Sequence, residues 1–155
     1  MIRMDLLNVG LVEETGGILL VLQAPEAQRL LVIETGLLEG QAIALEAGGV
    51  RAERPLTPDL LHDTILRLGA RVREVQIPEF HDETFFARIV LNRNEGGPPV
   101  ELDARPSDAI ALALRARAPI YVSDEIVDAM GLPAERGGRF DELFDEETAG
   151  SRVVH

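Results

Sequence analysis

Apolar positions recur along the chain first with strand spacing, then with helix spacing, then with strand spacing again. Met4 to Val12 is short and partly alternating, Gly16-Gly17 marks a turn, and Ile18 to Leu22 is an unbroken apolar run. Gln28 to Glu34 carries Leu30, Leu31, Val32 and Ile33. Short apolar runs bounded by turn residues read as strands, and three in succession with short connections predict an antiparallel meander.

Helical spacing takes over from Gly36 to Ala47, where Leu37, Leu38, Ala42, Ile43 and Leu45 recur and Gly48-Gly49 ends the pattern. A second helix is predicted over Thr57–Leu68. Thr57 is its expected N-cap, Pro58 its first helical residue, and Asp59 an acid suited to the positive helix end. Leu61, Ile65 and Leu68 form an i, i+4, i+7 stripe expected to face the core, and Gly69 is the stop.

Val72 to Ile77 and Phe85 to Leu91 alternate apolar with polar, and Val100 to Asp103 resumes an extended pattern after the Gly/Pro-rich Asn94 to Pro99. These predict a second meander with a hairpin at 92–99, while Glu79 to Glu83 reads as an exposed loop. A helix follows from Pro106 to about Arg117, apolar on most sides and therefore buried. Its small residues suit close packing on a sheet or on another subunit. Pro119 ends it, Ile120 to Val122 is a short strand, and Ser123 caps a last helix through Met130, stopped by Gly131. The expected fold is α+β: one domain over residues 1–132, with a mixed, largely antiparallel sheet or sheets and about four helices. Residues 133–155 are expected to form an acidic, partly mobile tail, with one amphipathic turn at Phe140, Leu143 and Phe144.

Charge narrows the function classes. The chain has 15 basic and 27 acidic residues, a net of −12, and every basic residue is arginine. Residues 1–132 alone stand at −9, from 12 arginines against 21 acids. A surface this acidic opposes passive polyanion binding, though not a local basic groove. Cysteine is absent, which removes disulfides, thiol nucleophiles and thiolate metal sites. The N-terminus does not read as a secretory signal and no apolar run approaches a membrane span, so a cytoplasmic location is expected. Phosphate-loop and G-x-S-x-G patterns are missing from the sequence, as is a set of aromatic residues suited to stacking RNA bases.

The densest polar cluster is Asp103, Arg105, Ser107 and Asp108. Two readings stay open. Arginine clamps phosphates, carboxylates hold divalent cations, and helix N-terminal amides attract anions. Equally, Pro106, Ser107 and Asp108 are ordinary residues for starting a helix, with Arg105 free to pair with Asp103 or Asp108. The same two readings apply to Thr57 and Asp59 at the second helix and to Arg54 before it. His62 is expected at the edge of that helix's buried face and His81 in a loop. Glu39, in the first turn of the first helix, suits the helix dipole.

Four separated blocks carry a family resemblance. DARPSDAIALALRARAPIYVSDEIV (Asp103 to Val127), RPLTPDLLHDTILRLGARVREVQI (Arg54 to Ile77), Phe85 to Ile89, and Glu39 to Leu45 resemble, in order and spacing, the bifunctional nuclease domain family. The second block of that family usually has a histidine between its threonine and aspartate, where this chain has Pro58; His62 lies one helical turn later. The resemblance implies phosphodiester hydrolysis in DNA and RNA. From the cluster and the resemblance together, Asp103, Arg105 and Asp108 are the expected catalytic residues, and Arg54, Thr57, Asp59 and Ser107 the expected substrate-binding residues. A divalent cation, Mg or Mn, is the expected cofactor. The alternative is a non-catalytic, oligomeric binding or regulatory domain of the same fold. A homodimer is expected, because the alanine-rich helix and Phe85-Phe86 suggest more apolar surface than one thin domain can hide.

Overall fold

The computed structural model describes residues 1–134. The tail and its predicted turn at Phe140, Leu143 and Phe144 lie outside them. Strands β1 (Ile2–Leu11), β2 (Ile18–Ala24) and β3 (Arg29–Thr35) form the first antiparallel meander. Helices α1 (Leu37–Ala47) and α2 (Thr57–Arg67) follow. The second meander is β4 (Ala70–His81), β5 (Thr84–Arg93) and β6 (Val100–Ala104). The chain then continues through α3 (Pro106–Ala116), β7 (Ile120–Val122), α4 (Asp124–Met130) and β8 (Leu132–Pro133).

One short strand joins the two meanders. β7 runs parallel to β4, with Gln76 opposite Tyr121, and antiparallel to β1, with Arg3 opposite Tyr121. The result is a single eight-stranded, mostly antiparallel sheet in the order β6-β5-β4-β7-β1-β2-β3-β8. The fold is α+β, as the alternation of strand and helix periods predicts.

The main core lies between the helices and one face of this sheet. Ala109 to Ala113 of α3 are buried there with Ile43, Ile65, Val75, Ile77, Ile89 and Leu91. α3 touches α1, α2, β4 and β5, so its small side chains serve packing within this chain. Gly40 lets α1 approach β2: a Cβ at that position would come within 2.5 Å of Ile18. A smaller apolar cluster of Leu19, Val21, Leu30 and Val32 occupies the opposite face of β2 and β3, packed with Val12, Leu132 and Ala134.

Several local expectations change. Leu56, not Thr57, is the N-cap of α2, and its backbone N–H donates to the Asp59 carboxylate at 2.8 Å. Asp59, at the third helical position, reaches back to satisfy the N–H of the N-cap residue itself. Of the predicted α2 stripe only Ile65 is buried; Leu61 is 37% and Leu68 80% exposed. α2 meets α3 and β4 by one flank, which leaves the flank with Leu60, Leu61 and Leu68 in the open. The loop expected at 79–83 is instead strand and a tight turn. Asp82 and Glu83 both have positive φ, 49° and 55°, the backbone that a two-residue hairpin turn requires. His81 ends β4 and stacks on Phe86, with ring centroids 4.2 Å apart. Phe85 is buried, so it serves this chain's own core. Among the described residues no helix is long and apolar enough to cross a membrane.

Candidate functional site

The two groups of expected site residues sit at opposite ends of α3. Arg105 is the N-cap of that helix and Arg115 lies in its last turn, about 15 Å apart at 1.5 Å per residue.

At the N-terminal end, the Arg105 guanidinium is clamped by two carboxylates. Its Nε and Nη2 donate to both oxygens of Asp108 at 2.7 and 3.0 Å, and its Nη1 donates to Glu39 Oε1 at 2.9 Å. The trio ties the start of α3 to the start of α1. Arg105 is held in its charged form, first by Asp108 and then by Glu39. Glu39 is pushed below the usual carboxylate range, first by its own backbone N–H at the helix start and then by Arg105. Arg105 stays open to solvent, and such exposed pairs add little stability. Ser107, the second residue of α3, is buried.

Asp103 does not join this trio. Ala104 pairs in register with buried Ala87, so the intervening geometry turns Asp103 to the other face of the sheet, opposite Arg88. There it belongs to a cross-strand row of Asp103, Arg88, Gln76, Tyr121 and Arg3, on the face away from α3.

These positions test the expected cation. Both Asp108 oxygens are engaged by Arg105, Glu39 shares that same cation, and Asp103 lies across the sheet. Among the described residues no group of three histidine, aspartate or glutamate side chains converges as a metal site. The carboxylates as arranged do not fit a divalent ion.

The C-terminal end of α3 is built differently. The Arg115 side chain is 5% exposed. It donates to Asp59 Oδ1 at 2.6 Å and to the carbonyls of Ala111 at 3.0 Å and Ala42 at 3.2 Å. One guanidinium thus joins α1, α2 and α3. Burial pushes the Asp59 carboxyl upward, but donors from Arg115 and the Leu56 backbone outweigh it and hold the group below its ordinary value.

This junction floors a cavity of about 370 Å³ between the end of α1, the 48–56 connection and the first turns of α2. Arg51, Arg54, Asp59, His62 and Arg115 line it, together with Glu46, Glu53 and Asp63. Asp63 is paired with Arg67 at 2.8 Å and Asp59 with Arg115. Arg51 and Arg54 both line the cavity and make no ion pair among the described residues, although the Arg51 charge also helps to hold the Asp59 carboxyl low. Thr57 is exposed at the first position of α2.

Arg54 and Asp59 of the expected set therefore meet here with His62, apart from Arg105 and Asp108. Arg115 and Arg51 were not singled out from the sequence. Arg115 had a signal, since it is a charged residue interrupting an alanine–leucine helix. Arg51 had none, because a loop arginine follows no period.

The fold and sites can now be set beside known proteins. The model of the bifunctional nuclease domain matches residues 20–135, which include the cavity and both ends of α3. An uncharacterized protein of Mycobacterium tuberculosis is 42% identical over 113 residues, 73% of this chain and 66% of that protein. Bifunctional nuclease 2 of Arabidopsis thaliana is 28% identical over 127 residues, 75% of this chain and 39% of that protein. Bifunctional nuclease 1 of Oryza sativa subsp. japonica is 32% identical over 106 residues, 66% of this chain and 32% of that protein. The matched stretch thus spans just under two thirds of the mycobacterial relative and less than two fifths of the plant ones. With most of its length matched by the domain model, this chain belongs to the bifunctional nuclease domain family.

Proposed function

We propose that this chain is a nuclease-like protein that holds the phosphodiester backbone of DNA or RNA in the cavity between α1 and α2 and hydrolyses it. One observation carries the reading: Arg51 and Arg54, both without an ion-pair partner among the described residues, line a single cavity together with His62. Arginine pairs with phosphate oxygens through two parallel N–H donors. An imidazole beside the phosphate can take a proton from an attacking water or give one to a leaving oxygen. Arg115 and Asp59 act behind them, fixing the walls from which Arg51, Arg54 and His62 project. The names of the plant relatives agree with phosphodiester chemistry.

The metal-assisted form of this reaction, with Asp103, Arg105 and Asp108 as its centre, has less support in the arrangement of those side chains. Purified protein incubated with single-stranded DNA and RNA, with and without Mg²⁺ or Mn²⁺, separates the two. Cleavage that is lost in Arg54→Ala and His62→Ala but kept in Asp108→Ala supports the cavity. Cation-dependent cleavage lost only in Asp108→Ala returns the site to the α3 N-terminus.

The second reading is a non-catalytic, oligomeric binding or regulatory domain, a dimer in its simplest form. The exposed Leu60, Leu61 and Leu68 on α2 favour it. Nucleic-acid binding without cleavage under every cation condition would be its signature.

A further inference from the structure

Arg51 and Arg54, neither of them in an ion pair among the described residues, set a limit on how much nucleic acid the cavity can hold. Each neutralises about one backbone phosphate, whereas a duplex presents one charge about every 1.7 Å along its axis. Beyond Arg51 and Arg54 the cavity rim is acidic. Glu46 and Glu53 lie on its walls, and Asp63 beside them is neutralised by Arg67. An extended backbone leaving the cavity would run against these carboxylates and against a chain whose net charge is −12.

The same carboxylates suit another part of a nucleotide. A glutamate oxygen accepts from ribose hydroxyls, and the 2′-hydroxyl is the group that separates RNA from DNA. A volume of about 370 Å³ lies in the range of small-molecule sites.

Resting on the cavity reading above, we propose that the site takes a single phosphorylated ribonucleotide unit: the substrate class is short single-stranded RNA or the end of such a strand. Arg51 and Arg54 grip the phosphates that flank one sugar, while Glu46 and Glu53 accept from that sugar. Duplexes and long polymers gain nothing from their extra length, because the surface beyond the cavity repels them.

The test is equilibrium binding of three probes over a salt series: a 5′-phosphorylated ribodinucleotide, a single-stranded RNA of tens of nucleotides, and a duplex of equal length. The expected result is per-site affinities for the dinucleotide and the long strand within about threefold, with a log–log salt slope no steeper than about −1.4, the value for two phosphates on a single strand. The duplex should bind roughly tenfold more weakly or worse. Affinity that climbs with strand length, with a slope of about −4 or steeper, overturns this inference while leaving a phosphate site in place. Unchanged binding of every probe by a folded Arg51→Ala/Arg54→Ala protein, or no binding of any probe by the wild type, overturns the cavity reading itself. A Glu46→Ala/Glu53→Ala protein, which has no side-chain acceptor at either position, supplies the remaining check, with the matching deoxydinucleotide as a fourth probe. It should lose its preference for the ribodinucleotide over the deoxy form, and an unaltered preference counts against the sugar contact.

Discussion

Arg115 Nε donates to Asp59 Oδ1 at 2.6 Å from a side chain that is 5% exposed, and this contact ties the start of α2 to the end of α3 beside the core packing of Ile65. Replacing Arg115 by alanine removes the partner of Asp59 and the donors to two backbone carbonyls. The cost of breaking a buried pair is about 3–5 kcal/mol, reduced here because Asp59 is partly solvated, so about 2–4 kcal/mol is expected. Urea unfolding measures it. Arg115→Lys should recover only part of the loss, since an ammonium cannot reach three acceptors held in a planar fork.

The same pair predicts an acid limb. Asp59 is held below its ordinary value in the folded protein, so the unfolded chain takes up the proton first as pH falls. The stabilisation is therefore fully present above about pH 4, the ordinary aspartate range, and is lost as pH falls through the lower folded value. Stability measured from pH 7 downward should fall less steeply in Asp59→Asn than in the wild type. Parallel curves would mean that Asp59 contributes nothing to the acid response.

At the other end of α3, Arg105→Ala should change stability by less than about 1 kcal/mol, because its pairs with Asp108 and Glu39 are solvent-exposed. Under the cavity reading its cleavage rate stays near wild type. Arg54→Ala, in contrast, removes a charged donor to phosphate and should lower kcat/KM roughly tenfold to a hundredfold. Steady-state kinetics on single-stranded RNA compare the two directly, and the reverse ranking would favour the α3 N-terminus as the centre.

Gly40→Ala tests the packing of α1 on β2. The new methyl group would meet the branched, buried Ile18 at 2.5 Å, and neither element can move without disturbing the sheet. Overpacking of this kind costs about 1–3 kcal/mol. A shift of the denaturation midpoint with unchanged slope is the expected readout.

The exposed flank of α2 gives the last prediction. If the protein is a dimer through Leu60, Leu61 and Leu68, light scattering at micromolar concentration reports twice the chain mass. Leu61→Glu/Leu68→Glu then returns it to a monomer without loss of helix. A wild-type monomer removes the oligomeric reading.

The one-dimensional pattern was enough for the elements that repeat locally. The alternation in 72–77 and 85–91, the buried run at 18–22 and the alanine-rich 106–116 each state their own period, and the structure follows them. Ser123 caps α4 as expected, accepting from the Ile126 N–H. The four family blocks also lay open to reading, since each is a contiguous string. What the string could not carry was direction across the sheet and distance between elements. Asp103 and Arg105 are two residues apart, yet the strand-to-helix change between them sends one to each side of the sheet. Arg54 and Arg115 are 61 positions apart and share a cavity because α1, α2 and α3 meet there. The sequence by itself determined the elements, the family and the stock of arginines and carboxylates. Only the tertiary structure decided which of those charges pair with each other and which stay out of an ion pair among the described residues, because pairing is a matter of a few ångströms in space rather than of spacing along the chain.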